Sequence, residues 1–435
     1  MPNTYLLFTH QPSNRLSYIV ETLFGQQFGI TTDAVAFENT DAVKINYSHH
    51  PFQCTCLTIA PHTLLFEKNI QPQRIIMDEK WNLPIFFANN GVLGFDVLAA
   101  AFYLISRYEE YLPYNSDGYG RYPATESLAY RSGFLQMPLI DYWLLQVEKQ
   151  LQQLFPLYQL PQKNYAFIPT FDIDRMLKYV DNGFLNNLKT FFKYIFQQNF
   201  QEFDEMMKVV SGQQRDPFDV FELLISLCTN QKLAPVFFIL LSNRNHPLDN
   251  NIATHKKSMQ NIIQQIQQYC TTGIHLSVES SKANSANIAM KEVQQLAKFN
   301  PQKPIHNNRF HYLHFQLPNS YEQLLQLNIQ ADYSMGYSTI NGFRAAYAQP
   351  FQWYHLTHET GTNLTVYPFC WMDTACLFHE KLSVEAAYEQ LTVFDAHIKK
   401  VNGLCIPVWH NHCLSNEATM LPWQKAFVAW MQKRE

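Results

Sequence analysis

The sequence predicts an α/β protein, with a C-terminal (β/α) barrel of about seven strands preceded by a smaller α/β unit. Three observations point there. Short apolar runs alternate with amphipathic helical patterns over the whole chain. From Tyr165 onward this becomes a succession of strand, loop and helix, with enough units for a parallel barrel. The composition is 47% hydrophobic and only 16% charged, so a large core is easily filled and global disorder is excluded. At 435 residues the chain is longer than one average domain of roughly 100 to 200 residues.

The first unit is expected over residues 1–160. Residues 5–8 read as a strand, 15–24 as an amphipathic helix, and 83–88 as a strand entering the Asn89-Asn90-Gly91 turn. Over 95–108, Leu98, Ala101, Phe102 and Ile105 share one helical face. Arg107-Tyr108-Glu109-Glu110-Tyr111 reads as a salt-bridged helix end exposing polar and aromatic groups, followed by the turn-rich 115–120. Residues 141–155 close the unit as a helix with Leu144, Val147, Leu151 and Leu154 in phase. Pro156 and Pro161 punctuate the chain just beyond this helix, so the domain boundary is placed between them. No chemistry is assigned to this unit.

The second unit, 161–435, offers strands at 165–169, 236–241, 273–277, 311–315, 329–332, 364–367 and 404–409. Helical patterns at 256–269, 288–299, 321–327 and 383–401 lie between them. A helical insertion near 183–230, rich in Phe, Gln and Met, is expected to cover one side. Asp216-Pro217 supplies a cap and first-turn proline within it.

The formal net charge is only -4 and no block of like charge occurs, so nothing points to nucleic acid, and a neutral or mixed ligand fits better. The first ten residues lack a basic region, and their apolar run is too short for a signal peptide. The longest apolar stretch, 97–105, is well below the ~18 residues that cross a bilayer. A cytoplasmic protein without a membrane segment is expected. Its eight cysteines form no Cys-x-x-Cys pair and are expected to be reduced and mostly buried.

In a parallel barrel, functional side chains gather at the C-terminal ends of the strands. The stretch Y-A-F-I-P-T-F-D-I-D-R at 165–175 delivers Asp172 and Asp174, which face one side if the segment is extended. Two close carboxylates repel, so one shifts its pKa or takes a cation beside it. The third strand ends in His275, with Glu279 four residues on. His311 and His314 are three apart, so only one reaches a cavity from a strand. Further along come Arg344 and Tyr347, then Trp371 and Asp373, then Trp409 and His410. Each has a plainer alternative: a turn aspartate, a solvated Glu279, a hydrogen-bonded strand histidine or a surface Arg344 ion pair.

The order of these residues resembles the motif order of the polysaccharide deacetylase-like proteins, the NodB-homology or carbohydrate esterase family 4-like group, in a divergent bacterial branch with an extra N-terminal domain. Thr170-Phe171-Asp172, with Ile173 before Asp174, is similar to the first motif, Thr-Phe-Asp-Asp. His275 matches the first histidine of the second motif, but Glu279 stands where the other histidine would be. Phe343, Arg344 and Tyr347 match a third motif without its prolines, Asp373 a degenerate fourth, and His410 the histidine of the fifth. The resemblance runs from Tyr165 to His412.

What it implies is a distorted (β/α)7 barrel and a carbohydrate substrate. The reaction would be removal of an acetyl group from an N-acetylated, or less often O-acetylated, sugar. Asp172 would be the base and His410 the acid, with Arg344 and Asp373 tuning them. Asp174 and His275 would bind a divalent metal, Zn, Mn, Co or Fe, with Glu279 or His311 as third ligand. Tyr347, Trp371 and Trp409, together with Trp353, would face the sugar. The incomplete ligand set leaves two rivals: a non-catalytic glycan-binding or scaffold barrel, and a metal-independent hydrolase of another non-peptide carbon-nitrogen bond.

Overall fold

A computed structural model describes residues 5–157, 163–241, 246–282 and 285–434, leaving aside the side chains of 184 and 185. The apolar runs Tyr5–Phe8 (β1), Phe28–Thr31 (β2), Val43–Asn46 (β3) and Leu57–Thr58 (β4) form a parallel sheet in the order β2-β1-β3-β4. The helix Asn14–Phe24 is capped by Ser13, whose side chain accepts from the Leu16 amide, and it buries Leu16, Ile19, Val20 and Leu23. The helix Val97–Ile105 is buried on every side. A helix with no polar face has to lie between layers, and Phe102 accordingly meets Tyr354 of the second unit edge-on, 5.2 Å between ring centroids. One hydrophobic core therefore runs through both units. The expected strand at 83–88 is shorter, Leu83–Ile85 (β6), hairpinned to Asp78–Lys80 (β5). The expected boundary between Pro156 and Pro161 falls largely on 158–162, outside the described residues.

The large sheet is built from Thr170–Ile173 (β8), Val236–Ile239 (β9), Thr271–Leu276 (β10), Asn307–Phe310 (β11), Ala331–Asp332 (β12), Phe351–His355 (β13), Thr360–Val366 (β14) and Val408–His410 (β16). Its order is β13-β14-β12-β11-β10-β9-β8-β16, with only β13 antiparallel. Ala166–Phe167 (β7) and Leu404–Cys405 (β15) pair just ahead of β8 and β16. Pro169 and Pro407 separate the two pairings because proline has no amide proton for the ladder.

Where a distorted barrel of about seven strands is expected, the described strands give one large mixed sheet with β13 and β16 as its end members. The segment after β14 reaches β16 through one isolated bridge, Met372 to Val408. The strand expected at 311–315 is also displaced: β11 ends at Phe310, and 311–313 form a 3-10 turn. The helical insertion contains Phe184–Phe196, Phe200–Val210 and Phe221–Asn230. Among the described residues no helix is long and apolar enough to cross a membrane. All eight cysteines are free thiols.

Candidate metal and catalytic site

β8 and β16 are neighbours in register, with Asp172 opposite His410, so the two residues meet across one strand pair. Asp174 comes directly after β8, His275 lies near the end of β10, and His311 opens the turn after β11. A cavity of about 240 Å³ at these strand ends is lined by Asp172, Asp174, His275, His311, His410 and His412. Gly273 in β10 lets the strand lie close against Phe238, because a side chain there would meet that ring at 2.6 Å. Phe238 in turn lies 4.5 Å beneath the Arg309 guanidinium.

Three groups converge in a way that suits a cation. His275 Nε2 is 3.2 Å and His311 Nε2 3.7 Å from Asp174 Oδ1. The ligand atoms of this trio all lie within 4.8 Å of one another. Both imidazoles are oriented from behind: His275 Nδ1 donates to the Arg309 carbonyl at 2.8 Å, and His311 Nδ1 to Asp249 Oδ1 at 2.8 Å. Each Nε2 is thereby the ring nitrogen that faces Asp174, the orientation in which a histidine can bind a metal once it is deprotonated. Without a cation, burial lowers the His311 imidazole, but Asp174 and Asp249 raise it to about 9. Asp174 Oδ1 is buried with no hydrogen-bond partner among the described residues. Burial would raise its carboxyl, yet His311 and His410 hold it well below the ordinary carboxylate range.

Asp172 and His410 flank this trio. Arg309 Nη1 donates to Asp172 Oδ1 at 2.6 Å, leaving Oδ2 3.8 Å from His275 Nε2 and 3.9 Å from His410 Nε2. His410 Nδ1 meets Asp373 Oδ1 at 2.6 Å, and its backbone amide donates to Asp373 Oδ2 at 2.8 Å. Burial pushes the His410 imidazole down, but Asp373, Asp174 and Asp172 carry it up to about 9. His412, beside it, is lowered to about 4 by burial and by His410, and its Nδ1 has no partner among the described residues.

The other expected residues lie elsewhere. Arg344 does not approach Asp172. It forks onto Glu110 of the first unit at 2.6 and 2.9 Å, fully buried. Arg107 joins the same cluster, so the stretch expected as an exposed helix end is buried instead. Glu279 pairs with Lys282 at 2.7 Å on the loop and is not among the convergent ligands. Tyr347 is buried against Lys163, and Trp371 donates to the Ala387 carbonyl. Trp409 is packed among Phe171, Trp371, Phe427 and Trp430, and Trp353 lies between Tyr321 and His355. None of these four aromatic residues lines the cavity, because each fills a buried site in the core.

Sequence reasoning passed over Arg309, Asp249 and His412. Arg309 lies in β11 two residues before His311, but the strand ends at Phe310, so the alternation of strand side chains does not link the two. Asp249 had no usable signal, since it comes from a loop after β9; it holds His311 and also accepts from the Val278 and Glu279 amides.

A family model described as a family of unknown function, DUF7033, matches residues 5–156. The cavity's aspartates and histidines all lie beyond that span. No curated protein matches the sequence. Among solved structures, the chain is similar to a "putative polysaccharide deacetylase from Mycobacterium smegmatis", at 9% identity and a TM-score of 0.40, over 63% of this chain and 86% of that one.

Proposed function

We propose that this protein is a hydrolase that removes an acetyl group from an N-acetylated or O-acetylated sugar, with a divalent cation held by Asp174, His275 and His311. The observation that carries this is the buried Asp174 Oδ1 with two imidazole Nε2 atoms at 3.2 and 3.7 Å, whose other ring nitrogens are already engaged. One carboxylate and two histidines suit Zn, Mn, Co or Fe. Such a cation would supply Lewis-acid polarisation of the acetyl carbonyl.

The chain's own groups supply the proton transfers. Arg309 fixes Asp172 Oδ1, so Oδ2 is the atom aimed into the cavity to take a proton from the attacking water. His410 has Asp373 on Nδ1, which favours its protonated form, and its Nε2 faces the same space to hand a proton to the departing amine or alcohol. The sugar as substrate class rests on the order of motifs at the strand ends. The scaffold alternative depended on a missing third ligand, and the place of His311 weighs against it.

Protein purified without chelators should carry close to one equivalent of a divalent metal. It should release acetate from N-acetylglucosamine oligomers or an O-acetylated glycan in a chelator-sensitive manner. Failure to bind metal under saturating conditions, with no acetate released from either substrate class, would overturn the proposal.

A further inference from the structure

Three exposed aromatic rings stand at the mouth of the cavity: Tyr119 at 47% exposure, Tyr312 at 37% and Phe378 at 56%. Each is held by a local device. Tyr312 has left-handed backbone, φ 58° and ψ 11°, and Leu313 comes next at φ 50°. A bulky residue adopts that conformation only where the surroundings enforce it, and such residues cluster at ligand sites. Here the enforcing group is Arg121, whose Nη1 donates to the Tyr312 carbonyl at 2.6 Å while its Nε pairs with Asp117 at 2.7 Å. The same guanidinium sits 4.8 Å over the Tyr119 ring. The Tyr119 and Tyr312 rings are 5.8 Å apart. Phe378 belongs to a π-helical turn, Ala375–Glu380, that begins two residues after Asp373. Turns of this kind occur frequently at functional sites.

At about 240 Å³ the cavity is smaller than the ~300 to 1,000 Å³ of a typical small-molecule site. It has room for an acetyl group and part of one ring, and the rest of a glycan has to lie on the rim. A pyranose offers an apolar C–H face and a hydroxyl edge, the complement of an exposed tyrosine with its apolar ring and polar tip. We infer that Tyr119, Tyr312 and Phe378 form a sugar-ring subsite at the mouth, so that the loop carrying Tyr119 and Arg121 in the first unit completes the site of the second. This rests on the deacetylase proposal above.

The test uses the full-length protein and tetra-N-acetyl-chitotetraose. Tyr119→Ala should raise KM about tenfold with little change in kcat, as expected for one lost stacking contact, while Tyr119→Phe stays near wild type. Tyr312→Gly suits the left-handed backbone, so it should show the same rise in KM with a melting temperature no lower than wild type. Binding of the tetrasaccharide to each variant, measured by calorimetry, separates the two proposals. Acetate release with unchanged KM in Tyr119→Ala and Tyr312→Gly would overturn the subsite and leave the deacetylase proposal standing. No acetate release from the tetrasaccharide or from an O-acetylated glycan, but tetrasaccharide binding weakened about tenfold in both variants, would support the subsite and overturn the reaction. Neither activity nor ring-dependent binding would overturn both.

Discussion

Two buried clusters of arginine and carboxylate lie in this molecule, and they differ in what they leave unpaired. Around Arg344, both Glu110 oxygens are taken, Arg107 covers Glu109 and Glu110, and the Gly336 carbonyl accepts a further Arg344 proton. Burial would raise the Glu110 carboxyl, but the two guanidiniums keep it below its ordinary range. Around Arg309 the pairing stays open: Arg309 Nη2, Asp174 Oδ1 and His412 Nδ1 have no partner among the described residues. Buried polar atoms are almost always satisfied. The closed cluster therefore ties Glu110 and Arg107 to Arg344 across the chain, while the open one leaves polar atoms without a hydrogen-bond partner beside the cavity.

The largest expected effect breaks the closed cluster. Arg344→Ala leaves Glu110 buried with Arg107 as its remaining partner, so the cost is set at about 3 kcal/mol, the low end for a broken buried pair. Thermal denaturation should show the loss, while turnover of the protein that remains folded changes little. Loss of turnover without loss of stability would reverse the roles of the two clusters.

The open cluster should answer in turnover. Asp172→Asn and His410→Ala are each expected to reduce turnover by at least ~100-fold, as for removal of a general base or acid. Asp172→Asn leaves buried Arg309 without its carboxylate and His410→Ala leaves buried Asp373 without its imidazole, so both should also lower the melting temperature, and turnover is measured per folded protein. Near-wild-type turnover in both would remove the assigned roles.

A smaller effect sharpens the comparison at the metal ligands. His311→Ala should abolish stoichiometric metal binding, and Asp249→Asn should weaken it by roughly 10- to 100-fold through the tautomer and orientation of His311. Glu279→Gln should leave metal content unchanged. A competition titration ranks the three, and any effect of Glu279→Gln comparable to that of His311→Ala would return the third-ligand role to the loop.

The subtlest readout is pH. His410 has its folded pKa raised to about 9, so the acid form is present below that value and is lost as pH rises through it. A cation on Asp174 offsets one of the raising partners, so turnover of the metal-loaded protein should decline on the alkaline side at or below that value. Asp373→Asn removes the strongest of the raising partners and should move that limb to lower pH. An alkaline limb that stays in place would assign it to another group.

Much of this was legible in the sequence for a local reason. Along an extended chain, side-chain direction alternates with period two, so a strand that ends in Asp172-Ile173-Asp174 presents two carboxylates together wherever it is placed. The apolar runs at 236–241 and 273–277 overlap β9 and β10, but the run at 165–169 holds only β7, and β8 begins after it at Thr170; Pro169 and Pro407, expected inside strands, are where the pairing breaks. The strand-end positions of His275, Asp373 and His410 came from the same local pattern.

Only the tertiary structure decided who meets whom. Arg344 carries the motif's arginine, but its partner Glu110 lies 234 positions away in the other unit. Arg309, from the middle of the sheet, reaches Asp172 instead. Whether His311 or Glu279 faced Asp174 depended on β11 ending at Phe310, with the next turn aiming the ring. The tryptophans proved to be core because the helices beside them closed over their faces. Local pattern sets which way a side chain points, but an ion pair or a ligand set belongs to surfaces brought together by packing, and no short window of sequence contains both of its halves.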